Sequence, residues 1–137
     1  MNNMARGYNN FNPGNIRRSD VVYKGERESS DYSFKQFTSM AYGFRALFVL
    51  LHTYAVKHHL NTLQLMLNRY APPTENDTTS YVAFVSGRTK IADISTIDTL
   101  NAKQMIPIAT AIARMENGSE PDADDVQAGW ELFRADY

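Results

Sequence analysis

The chain has 137 residues, a formal net charge of −1 and no cysteine, so a disulfide frame and a thiolate metal site are both excluded. Near-neutral charge gives no long-range pull on nucleic acid or an anionic membrane, and neither is expected as a partner. No basic and apolar leader opens the chain, so no signal peptide is expected, and no apolar run approaches the roughly 20 residues of a membrane span. The length fits a single domain over 1–137 with one core, expected to be soluble.

The opening stretch Asn9-Asn10-Phe11-Asn12-Pro13-Gly14-Asn15-Ile16-Arg17 is too polar to read as core. Pro13 presets φ and Gly14 accepts a positive φ, which predicts a stiff type II turn. Asn12, preceding proline, is pushed toward extended geometry. A row of amides on a rigid backbone, Asn10, Asn12 and Asn15 among them, suits a neutral ligand rich in hydroxyl and acetamido groups. An ordinary surface loop is the plainer reading.

Val21-Val22-Tyr23 and Ser33–Phe37 are short and rich in β-branched or aromatic residues, and the polar run Gly25–Asp31 between them predicts a small hairpin. Ser39 is the expected N-cap of a long helix to about His58, whose broad apolar face marks it as central. Asn61 with Gln64 resembles a capping box opening a helix through Tyr70, which Pro72-Pro73 ends. A further helix starts at Asp77 or Thr78 and runs to Gly87. After an irregular stretch over 88–100, a helix capped near Asn101, with Gln104 at the capping-box position and a kink expected at Pro107, ends at Glu116-Asn117-Gly118. Asp122–Tyr137 forms the last helix, with Val126, Trp130 and Phe133 buried. The expected fold is mainly α, formally α+β, with one small β-hairpin.

Glu116 is the first candidate for chemistry. It ends a helix whose late positions are otherwise apolar, where the dipole and apolar surface disfavour a charged carboxylate and so suit a general acid. A solvated glutamate that happens to end a helix is the competing reading. The hairpin loop offers further carboxylates, of which Glu26 is the chosen partner for glycoside cleavage, though a solvated turn would use the same residues. Tyr70 and Tyr81 flank the Pro72–Asp77 segment and serve either core packing or a sugar subsite. Glu75 and Asp77 are explained by helix capping. Arg45 is expected in a structural salt bridge. His52, His58 and His59 share an amphipathic stretch without converging carboxylates, so no metal site is expected.

The segments NNFNPGNIRR, SFKQFTSMAYGFRAL, LNTLQLMLNRYAPPTENDTTSYVAFV and ARMENG, spanning about Arg6 to Gly118 in order, resemble a family of small bacteriophage and prophage proteins. That family is labelled virion structural and grouped with lysozyme-like peptidoglycan hydrolases. PGNIR and APPTENDT are the specific segments. The resemblance implies a lysozyme-like helical domain acting on bacterial peptidoglycan, with other virion proteins as further partners. It also implies a place in the phage virion or the host cytoplasm, action at the bacterial cell wall, and no cofactor. Glucosaminidases and lytic transglycosylases of the lysozyme-like group place a helix ending in the catalytic glutamate before the NPGNIR-like loop. Here that helix comes late, which implies a circular permutation, a rearrangement that neighbouring termini make structurally accessible. Under it Glu116 corresponds to the catalytic acid, Asn12 to Arg17 line the cleft, and Tyr70 and Tyr81 correspond to the tyrosine-bearing segment. The implied activity is cleavage of the β-1,4 aminosugar backbone, as muramidase, glucosaminidase or lytic transglycosylase. Without permutation, the resemblance implies a non-catalytic virion protein that binds glycan.

Overall fold

The computed structural model describes residues 5–137, so the expected domain over 1–137 includes four residues outside those described. The described elements, in chain order, are α1 (Arg6–Asn9), β1 (Glu26–Arg27), β2 (Gln36–Phe37), α2 (Met40–His58), α3 (Leu63–Tyr70), α4 (Thr78–Thr89), α5 (Ala102–Asn117) and α6 (Ala123–Asp136). The fold is mainly helical with a two-stranded antiparallel sheet, in which Glu26 pairs with Phe37 and Arg27 with Gln36.

Ser39 caps α2, its hydroxyl accepting from the Tyr42 amide at 3.2 Å. The helix buries Phe44, Leu47, Phe48 and Leu51 completely. Phe48 meets Trp130 of α6 edge to face at 5.0 Å between ring centroids, a favoured aromatic geometry. Tyr81, Val82 and Val85 of α4 and Ile108 and Ile112 of α5 join the same apolar cluster. This core holds α2 beneath the N-terminal loop and sets the C-terminal end of α5 beside it.

Several local expectations are corrected. Val21–Tyr23 is not a strand, and β1 lies inside the segment expected to be the hairpin loop. The strand-like pairing runs elsewhere: the Arg18 amide donates to Ser33 O, the Lys35 amide donates to Ile16 O, and Arg17 bridges Phe34. Residues 16–18 therefore take the edge that 21–23 was expected to fill. The displaced segment turns its carbonyls to a buried ammonium, Lys35 Nζ donating to Val21 O at 2.7 Å and Ser19 O at 3.2 Å.

Thr62, not Asn61, caps α3, and the Asn61 carbonyl accepts from the Ile97 amide instead. Gln104 accepts from the Asp98 amide and so closes no box with Asn101, whose side chain accepts from Lys103 N. Helix α4 passes through Gly87 and ends at Lys90, which adopts the left-handed conformation. Pro107 stands inside α5, where it leaves the Lys103 carbonyl without its i+4 donor. Arg45, buried in α2, reaches Asp136 of α6 at 2.8 Å.

The turn at Pro13-Gly14 closes through Asn15 N donating to Asn12 O at 3.0 Å, but Gly14 is not at positive φ. It is therefore not the expected type II turn. The left-handed residues are Phe11 and Asn15, both at φ 51°. Glycine is needed at 14 for proximity: a Cβ there would strike the Tyr70 hydroxyl and lie 3.2 Å from Leu47 Cδ1.

Candidate functional site

Helix α5 brings Glu116 to its last turn, and Gly118 ends the helix in the left-handed conformation at φ 76°. The carboxyl is held from two sides. Asn15 Nδ2 donates to Oε1 at 2.9 Å, and the Tyr81 hydroxyl donates to Oε2 at 2.9 Å. Asn15 belongs to the N-terminal loop and Tyr81 to α4, so three separate chain segments converge on one carboxyl.

The next residue secures the junction. Asn117 Nδ2 donates to Pro13 O at 2.8 Å, and its Oδ1 accepts from the Tyr8 amide at 3.0 Å. The Tyr8 hydroxyl donates in turn to Ser119 O at 2.7 Å. The loop and the end of α5 are thereby laced together by Asn117. No sequence reading had singled it out, because an asparagine before a helix-ending glycine reads as ordinary capping.

Glu116 lines a cleft of about 380 Å³ together with Asn15, Arg17, Tyr70, Arg69 and Glu75. Tyr70 donates its hydroxyl to Gly14 O, holding the turn from below. Burial, then the nearby Glu116 charge, pushes the Tyr70 and Tyr81 phenols well above their ordinary range, so both remain donors at neutral pH. A carboxyl oriented by two fixed donors on the wall of a cleft can give a proton to a bridging oxygen and take one back.

Of the residues singled out from sequence, Glu116, Asn15, Arg17 and Tyr70 share this cleft. The others do not. Asn12 is fully buried, its Nδ2 donating to Ile16 O and Lys35 O and its Oδ1 accepting from Ile16 N. Asn10 is likewise buried, bonded to Asp31 and Gln36. The polar opening stretch was wrongly expected to stay out of the interior. Asn12 substitutes for backbone pairing that the irregular loop cannot make and Asn10 joins a buried network of side chains, which removes both as ligand contacts.

Tyr81 is corrected as well: it is buried beneath Glu116 and orients the carboxyl, so it is no sugar contact. Glu26 lies outside the cleft and pairs with buried Lys35 at 3.0 Å, so it cannot be the second carboxylate. Asp77 caps α4 as expected, its Oδ1 accepting from Ser80 N, but Glu75 lines the cleft. The Pro72-Pro73 break was the signal that a loop carrying Glu75 would project there.

No family model matches the chain. It is similar to Protein P5 of Pseudoalteromonas phage PM2, with 36% identity over 136 residues that cover 96% of this chain and 83% of that protein. The chain belongs to the family of this phage protein. The relationship is to a bacteriophage protein of comparable length, and among the described residues no helix is long and apolar enough to cross a membrane.

Proposed function

We propose that the chain is a phage-encoded, lysozyme-like enzyme that cuts the β-1,4 aminosugar backbone of peptidoglycan, with Glu116 as the general acid. The observation that carries the reading is the grip of Asn15 and Tyr81 on the two oxygens of a carboxyl that faces a cleft. The order of segments, with the loop first and the acid-bearing helix late, fits a circularly permuted lysozyme-like arrangement.

Glu116 delivers a proton to the glycosidic oxygen as the bond to the anomeric carbon breaks, and Asn15 and Tyr81 keep it aimed through that step. Positive charge develops on the sugar and is relieved by one of two nucleophiles. In the hydrolytic route, Glu75, the other carboxylate of the lining, guides water or stabilises the charged sugar. In the transglycosylase route a hydroxyl of the sugar attacks within the ring, and Glu116 acts first as acid and then as base. Mass analysis of fragments released from purified sacculi separates the routes: reducing ends report hydrolysis and anhydro ends report the internal attack. Release of no fragments removes the enzymatic reading.

One observation favours a second reading. Both oxygens of Glu116 are already satisfied internally, which is also how a carboxylate serves to staple chain segments. A virion protein that binds glycan and leaves it intact would have this geometry. It would retain sacculi on sedimentation while releasing nothing.

A further inference from the structure

The Glu116 cleft is continuous with a second cavity of about 490 Å³, the two sharing Val21, Tyr23, Leu50, Tyr54 and Arg69. The carboxylates of the groove, Glu75 and Glu116, both belong to the first cavity, and no Asp or Glu lines the second. Cations line both. Lys24 and Arg45 share Asp136 as their ion-pair partner. Arg17, Arg18, Lys57 and Arg69 form no ion pair within 4 Å among the described residues. Two of these four are held over aromatic rings that also line the cleft, Arg17 over Phe34 at 5.2 Å and Arg69 over Tyr54 at 5.8 Å. In a chain of net charge −1, four cations without an ion pair on a groove that holds two carboxylates are not a consequence of composition.

A glycan backbone of aminosugars is neutral and gives these cations nothing to bind. The peptides that branch from it end in free carboxylates, for which guanidinium offers paired donors in a matching plane. We propose that the groove leading away from Glu116 is a stem-peptide subsite, in which Arg17 and Arg69, with Lys57 beyond them, bind the peptide carboxylates of the glycan. The inference rests on the peptidoglycan reading of the cleft and adds to it a dependence on peptide-bearing substrate. Stacking on Phe34 and Tyr54 limits the rotamer freedom of the two arginines before ligand arrives, which lowers the entropic cost of the contact.

The test is the affinity of the wild-type chain for glycan oligomers carrying stem peptides and for the same oligomers stripped by an amidase, with the lactyl carboxylates thereby exposed capped as neutral amides, measured by titration calorimetry. The stripped oligomers are expected to bind about tenfold more weakly, the loss of one or two charge-assisted pairs. Arg17→Gln/Arg69→Gln should weaken the peptide-bearing form far more than the stripped form and so bring the two affinities together. Raising salt from 50 to 400 mM should weaken only the peptide-bearing complex.

Equal affinity for the two oligomers, binding of neither, or indifference to the double substitution would overturn the proposal. So would equally tight binding of duplex DNA, since the groove would then read charge alone. A preference for the peptide-bearing form without any bond cleavage would support the subsite and reject the enzyme. Cleavage of both forms at equal affinity would do the reverse.

Discussion

Glu26 and Glu116 show how the same side chain takes different roles through its neighbours. Glu26 faces Lys35, whose side chain is 2% exposed and whose remaining donors go to backbone carbonyls of the 19–21 segment. Its charge is consumed in holding a loop. Glu26→Gln leaves that ammonium under-compensated and should cost about 3 kcal/mol in urea unfolding, while fragment release per folded molecule stays unchanged. A fall in release without loss of stability would return Glu26 to the chemistry. The tyrosines give a second residue-scale prediction. Tyr70 and Tyr81 hold their protons above the usual phenol range of about 10, so the unfolded chain releases protons there that the folded chain retains. Their contribution is complete below about pH 10 and is lost as pH rises above it. The urea midpoint should therefore fall between pH 9 and pH 11, and less steeply in Tyr81→Phe; a midpoint flat across that interval would contradict the assignment.

At the scale of elements, two glycines predict opposite outcomes from the same substitution. Gly43 lies in α2 under the N-terminal loop, where a Cβ would sit 2.6 Å from Pro13 Cδ and strike the Phe11 carbonyl. Alanine gains about 1 kcal/mol of helix propensity, but the obstacle includes backbone that cannot rotate away, so overpacking of about 1–3 kcal/mol prevails. Gly43→Ala should lower the melting temperature and also reduce fragment release, because the displaced loop carries Asn15. Gly87 lies in α4 with nothing within 4 Å of an added Cβ, and Gly87→Ala should raise stability by about 0.5–1 kcal/mol. Calorimetric melting of both variants checks the pair.

The helices were largely legible because their signals are local. Ser39, Asp77, Asn101 and Asp122 each cap the helix that follows, and apolar periodicity supplied the buried faces. The hairpin was misplaced because Val21–Tyr23 has strand-like composition, while its actual conformation follows from Lys35, a residue far along the chain whose burial no local pattern announces.

At the scale of the whole molecule, the site exists only through closure of the chain. Asn15 and Glu116 are 101 positions apart in sequence, yet their side chains are bonded. The proximity of the opening turn to the late helix was an expectation from resemblance alone, and no periodicity or spacing could have supplied it. What sequence could not separate was which asparagines face the cleft: Asn15 does, whereas Asn12 replaces missing backbone partners in the interior and Asn10 bonds the side chains of Asp31 and Gln36. Arg69 carries no signal of its own and Glu75 reads as a capping residue for a similar reason, since a charged residue at a helix end or after a proline pair is ordinarily solvated.

The most direct measurement is the initial rate of soluble fragment release from purified sacculi by wild type and by Glu116→Gln, both shown to be folded by near-ultraviolet circular dichroism. The amide keeps the shape and one acceptor oxygen but has no acidic proton to give, so release should drop at least about a hundredfold, the scale of general acid catalysis. Equal rates for the two chains would take the acid away from Glu116 and leave its carboxyl as a staple between the opening loop, α4 and α5.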